Sequence, residues 1–193
     1  MAFIRIRQQS KEEDTMNTQI LIAGFGGQGI LFSGKFLAYE GLLTGKEVSW
    51  LPSYGPEMRG GTANCSIIIS DEKIGSPIVD KPDVLIAMNA PSFDKYVTEI
   101  VSGGKVFVDS SLIDKKCERN DVEAHYIPAT QLASEKNLPG LANMIILGMF
   151  IKHTNVMPLE DVEIVLKKVV PAKKPQLFDL NMEAIKLGYN YEG

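Results

Sequence analysis

Apolar residues along the chain gather in short, nearly unbroken runs separated by segments of helical spacing. Gln19-Ile20-Leu21-Ile22-Ala23-Gly24 is such a run and ends in glycine, the pattern of a strand buried on both faces. Ile30, Leu31, Gly34 and Leu37 follow at helical spacing and predict a helix over about 27–39, closed by Gly41. Further strands are predicted at 47–51, 64–70, 83–88, 105–109 and 123–127, with a helix carrying proline in its first turn at 91–101. The remainder reads as helix at 129–137, 141–152, 159–169 and 176–187, the last stopped by Gly188. Too few residues separate the second and third strands for a crossover helix, so that pair is either antiparallel or joined by a long functional loop. The alternation predicts an α/β fold: a single doubly wound, mostly parallel Rossmann-like sheet flanked by helices, with a helical C-terminal region.

Residues 1–15 have no sustained period and precede a second methionine, Met16, so they read as a disordered extension outside a single domain spanning 16–193. Composition agrees with one ordinary soluble core: 193 residues, 45% hydrophobic and 23% charged. A net charge of −4 without a basic stripe argues against nucleic acid as a partner. The longest apolar run, Met144 to Ile151, is far shorter than the roughly 20 residues that cross a bilayer. With no signal-peptide pattern either, a cytoplasmic protein without membrane contact is expected. Cys65 and Cys117 have no Cys or His neighbour at metal spacing, so they support neither a zinc site nor an iron–sulfur cluster, and no metal ligand is assigned. His125 and His153 have no acid or nucleophile partner evident in the sequence and read as structural. The 141–151 helix is apolar nearly all round, which places it in the core or, through Met144, Gly148 and Met149, against another chain.

In doubly wound sheets ligands bind beyond the carboxyl ends of the strands. Four segments fall there. Gly24-Phe25-Gly26-Gly27-Gln28-Gly29 has the Gly-x-Gly-x-x-Gly spacing between a strand and a helix, where free amides can hold a phosphate. The acid that a dinucleotide site places at the end of its second strand is missing, since that strand ends Trp50-Leu51-Pro52-Ser53. Ser53-Tyr54-Gly55-Pro56-Glu57-Met58-Arg59-Gly60-Gly61-Thr62 offers Arg59 as a fork for a carboxylate or phosphate, beside glycines that allow close approach; solvated turn charges are the alternative. Asn89-Ala90-Pro91-Ser92 and Asp109-Ser110-Ser111 supply short polar groups that suit helix capping or a ligand, capping being the simpler reading.

Those motifs, together with Ala87-Met88-Asn89-Ala90-Pro91-Ser92 and Ala142-Asn143-Met144-Ile145-Ile146-Leu147-Gly148, make the chain resemble the gamma subunit of 2-oxoacid:ferredoxin oxidoreductases over about residues 16–188. Its Pro-Glu-Met-Arg-Gly-Gly form looks more like the 2-oxoglutarate and 2-oxoisovalerate enzymes than the indolepyruvate ones. The resemblance implies a multisubunit enzyme that decarboxylates a 2-oxoacid, passes electrons to ferredoxin and forms an acyl-CoA. It places thiamine diphosphate, Mg and iron–sulfur clusters in partner alpha and beta subunits, with a delta subunit in some complexes. The sequence agrees: it lacks Gly-Asp-Gly followed by Asn-Asn, so the chain alone is expected to be inactive. By the same resemblance the sheet edge meets coenzyme A. The candidate contacts are Gly24, Gly26, Gly27, Gln28, Gly29, Tyr54, Glu57, Arg59, Gly60, Asn89 and Ser110. No side chain is assignable as general base or nucleophile. A stand-alone Rossmann-type nucleotide-binding dehydrogenase or regulatory module is the alternative that the glycine turn by itself would allow.

Overall fold

The computed structural model describes residues 16–53 and 62–193, so the extension expected at 1–15 lies outside the described residues. The first strand, β1 (Asn17–Phe25), leads through the glycine turn into α1 (Ile30–Leu43). Then come β2 (Glu47–Ser53), β3 (Thr62–Ser70), β4 (Val84–Ala87) and α2 (Ala90–Tyr96), which continues as a 3₁₀ turn over Val97–Glu99. Strands β5 (Lys105–Asp109) and β6 (Glu123–Ile127) precede α3 (Ala129–Glu135), α4 (Ala142–Thr154), α5 (Asp161–Val169) and α6 (Pro175–Tyr189). Among the described residues no helix is long and apolar enough to cross a membrane.

The six strands form one sheet in the order β2-β3-β1-β4-β5-β6. β1, β4, β5 and β6 run parallel, while β3 is antiparallel to both β1 and β2. The open choice between an antiparallel pair and a loop crossover thus resolves as antiparallel. The sheet is mostly parallel, as predicted, with one reversed strand.

Its two faces are covered unequally. Ile20, Ile22, Cys65, Ile67 and Ile69 point to one face and pack with α1, α4, α5 and α6 into the larger core. Leu21, Leu85, Val106 and Val108 point to the other, where Phe93 of α2 with Ile113 and Val122 of the 110–122 segment make a thinner layer. Alternation of side chains along each strand forces this division. Met144 and Met149 are buried in the larger core, which decides for the core reading of α4 among these residues.

Three predicted helix ends are corrected, each for a packing reason. The first helix begins at Ile30 rather than Gly27, because Gly27 (φ +95°) and Gly29 (φ +78°) are left-handed. It also runs past Gly41 to Leu43: a Cβ at Gly41 would stand 2.6 Å from Val48 Cγ2, so this glycine lets helix and strand approach and does not end the helix. Gly188 likewise lies inside α6, whose last residue is Tyr189, and it faces the backbone of Ile145 on α4.

Candidate functional site

The parallel strands β1 and β4 lie side by side, and chain connections leave them toward opposite faces of the sheet, so a crevice opens beyond their carboxyl ends. Gln28 bridges it. Its Oε1 accepts from the Phe25 amide at 2.5 Å, and its Nε2 donates to the Met88 carbonyl at 2.9 Å. One amide side chain therefore pins the glycine turn to the end of the neighbouring strand. Gly24 underlies this clamp, since a Cβ there would stand 2.6 Å from Gln28 Oε1.

The turn itself has two different glycines. Gly29 is backed by α4: a Cβ at Gly29 would meet Asn143 Nδ2 at 2.5 Å, and that same nitrogen donates to the Gly29 carbonyl at 3.2 Å and to Ser33 Oγ at 3.0 Å. Among the described residues nothing lies within 4 Å of where a Cβ on Gly27 would be. The N-terminus of α1 has neither a side-chain cap nor an acidic residue in its first turn. Among the described residues no group accepts from the amides of Gly26, Gly27 or Gly29. Helix N-termini carry partial positive charge and orphan donors, so an uncapped one beside exposed glycines is suited to an anion.

Two clefts flank the turn. One, of about 380 Å³, is lined by Gly27, Gln28, Met88, Leu112, Thr130 and Gly140, among others. The second, of about 330 Å³, lies toward Phe25, Gly26, Phe32 and Ala63. Thr130, Leu112 and Asn143 join the site without having been singled out. Asn143 lies in a helix whose apolar pattern speaks only of burial, so its contact with the turn comes from the fold.

The other candidates divide. Asn89 caps α2, its Oδ1 accepting from the Ser92 amide at 2.8 Å. Asp109 is buried and structural: Oδ1 accepts from the Ser111 amide at 3.1 Å and the Thr130 amide at 3.3 Å, while Oδ2 accepts from Thr130 Oγ1 at 2.6 Å. Ser111 Oγ accepts from the Gln131 amide at 3.0 Å, so the first turn of α3 is capped by residues at the carboxyl end of β5. Ser110 contributes its backbone amide to the Ile127 carbonyl. Tyr54, Glu57, Arg59 and Gly60 lie outside the described residues. Cys65 is buried beneath α1, and burial pushes its thiol up to about 12, which removes it from reactive chemistry at neutral pH.

The position beside β1 is decisive against a dinucleotide site. There the fold places antiparallel β3, where a dinucleotide fold has a parallel strand whose carboxyl end reaches the ribose.

A family model described as pyruvate ferredoxin/flavodoxin oxidoreductase matches residues 19–191. The chain belongs to this family. The 2-oxoglutarate synthase subunit KorC of Methanocaldococcus jannaschii is 38% identical over 93% of this chain and 96% of its own length. The ketoisovalerate oxidoreductase subunit VorA of Methanothermobacter thermautotrophicus is 36% identical over 88% of this chain and 35% of its own length. The chain thus spans about a third of that VorA relative. Solved structures agree. The gamma subunit of a keto/oxoacid ferredoxin oxidoreductase from Geobacter sulfurreducens superposes with a TM-score of 0.74 at 28% identity, covering 89% of this chain and 96% of that one. A 2-oxoglutarate:ferredoxin oxidoreductase from Magnetococcus marinus, with 2-oxoglutarate, coenzyme A and succinyl-CoA bound, gives 0.79 at 28% identity, covering 90% of this chain and 30% of that one. In this pyruvate ferredoxin/flavodoxin oxidoreductase family member, the glycine turn, Gln28 and Asn143 therefore form one braced unit at the carboxyl edge of the sheet.

Proposed function

We propose that the chain is the gamma component of a 2-oxoacid:ferredoxin oxidoreductase acting on 2-oxoglutarate, and that its glycine turn receives a phosphate of coenzyme A. The observation that carries this reading is the uncapped N-terminus of α1 behind Gly27, whose side-chain position is open. A phosphate there would accept from the amides of Gly26, Gly27 and Gly29 in the field of the helix. Arg59, in the loop outside the described residues, is the proposed second anion contact. The KorC relatives and the Magnetococcus marinus enzyme support 2-oxoglutarate as the substrate.

The described side chains at this edge bind and position; none offers a nucleophile or general base. Decarboxylation, supplied by thiamine diphosphate with Mg, and electron transfer through iron–sulfur clusters to ferredoxin belong to alpha and beta subunits in this proposal. Closing the active site and excluding water around the acyl carrier are the contributions left to this chain.

The test is steady-state kinetics of the reconstituted complex with Gly27→Asp. The carboxylate would occupy open space yet repel a phosphate at the helix end, so the KM for coenzyme A should rise about tenfold or more with the KM for 2-oxoglutarate unchanged. An unchanged KM for coenzyme A rejects the phosphate site. Acyl-CoA formation fastest from pyruvate or 2-oxoisovalerate would reassign the substrate.

A further inference from the structure

At the opposite end of α4 from the glycine turn, Glu123 and His125 of β6 meet His153. Residues two apart on a strand share a face, so Glu123 and His125 project together, and α4 delivers His153 onto them. Glu123 Oε1 lies 2.9 Å from His125 Nε2, and the two imidazole centroids are 3.9 Å apart. Phe107 stacks on His125 at 4.8 Å and 13°, fixing that ring. One ligand atom from each of the three residues lies within 4.8 Å of the others.

His125 Nε2 is buried, yet among the described residues it makes no well-directed hydrogen bond despite its short contact with the carboxylate. A buried polar nitrogen without a partner calls for an explanation. A cation between the nitrogen and the carboxylate oxygen would satisfy both.

We infer that Glu123, His125 and His153 bind one first-row divalent cation, with Zn²⁺ as the best match, and so clip the edge strand β6 to the end of α4. Two imidazole nitrogens and one carboxylate oxygen are a donor set of tetrahedral zinc, with the fourth position left to water. All-oxygen ions such as Ca²⁺ and Mg²⁺ are poorly served by imidazole, and without a thiolate the set does not select soft ions. Bond lengths of about 2.0–2.2 Å bring tetrahedral ligand atoms to about 3.3 Å, a closure within reach of side-chain rotation at Glu123 and His153, neither of which is buried. Lys105 pairs with the other carboxylate oxygen, Oε2, and so holds Glu123 with Oε1 toward the histidines. Neither cysteine belongs to this group, and a cation here departs from the sequence expectation of no metal ligand.

The test is titration of the full chain, free of any histidine tag, with Co²⁺, followed by its visible d–d absorption and by thermal unfolding. One equivalent should give a saturating band that Zn²⁺ abolishes, and Zn²⁺ should raise the Tm. His153→Gln and Glu123→Gln, both at incompletely buried positions, should keep the native circular dichroism and weaken Co²⁺ binding about tenfold or more. Absence of the band and of the Tm shift in the unaltered chain overturns the site. So does a band that persists at the same affinity in folded His153→Gln.

Discussion

Gly27 and Gly29 share a left-handed backbone, but a methyl group added to each would meet different surroundings. Gly29→Ala combines backbone strain of about 1–2 kcal/mol with a collision against Asn143, so urea denaturation should show a loss of about 2–3 kcal/mol. Gly27→Ala meets only the strain, and the loss should stay near 1–2 kcal/mol. Equal losses would show that Asn143 does not brace the turn. A second residue, Glu40, is buried in α1 with Oε2 lacking a hydrogen-bond partner among the described residues. Burial, reinforced by the Asp161 carboxylate, raises its pKa above the ordinary value of 4.5. A raised folded-state pKa means that its contribution is complete below the unfolded value and is lost as pH rises through the folded one. Glu40→Gln should therefore unfold at higher temperature than the wild type at pH 7.5, and the margin should shrink as pH falls and vanish below about pH 4. A constant difference across that range would show that Glu40 does not titrate with folding. At this scale the glycine turn is legible, because spacing after a strand implies its backbone. Asn143 is not, since the apolar pattern of its helix says only that the helix is buried. Glu123 stands two residues before His125 on one strand face, a relation passed over when His125 read as structural, and His153 joins them only through the fold.

Elements were read well where a single period ran through them and poorly at glycines. β5 and β6 fall where the apolar runs place them, at Lys105–Asp109 and Glu123–Ile127. Gly41 and Gly188 resemble helix stops, yet both sit within helices because a neighbouring element presses on them. A sequence shows that a residue lacks a side chain but not whether turn geometry or a neighbour requires it. Gly148 of α4 and Gly188 of α6 face each other's helix: a Cβ on Gly148 would run into the Ile185 carbonyl, and one on Gly188 into that of Ile145. Backbone atoms cannot move aside as a side chain would. Gly148→Ala or Gly188→Ala should therefore cost about 3 kcal/mol or more by chemical denaturation. A cost below about 1 kcal/mol would mean that the two helices can part cheaply.

For the whole molecule, the α/β class and the mostly parallel sheet followed from alternating strand and helix periods. The reversed β3 did not, because loop length left both pairings open. That reversal bears on function, since it removes the neighbour a dinucleotide ribose needs and leaves an anion turn without a nicotinamide site. Titration of the full chain with NADH, followed by nucleotide fluorescence, should accordingly show no saturable binding at micromolar concentration. Saturation there would restore the dehydrogenase reading. In the proposed role this fold supplies the carboxyl-edge glycine turn to coenzyme A inside an oxidoreductase complex. The most direct measurement is the KM for coenzyme A of the reconstituted complex carrying Gly27→Asp. A rise of about tenfold or more at an unchanged 2-oxoacid KM is predicted, and an unchanged coenzyme A KM in a correctly assembled complex would contradict the claim.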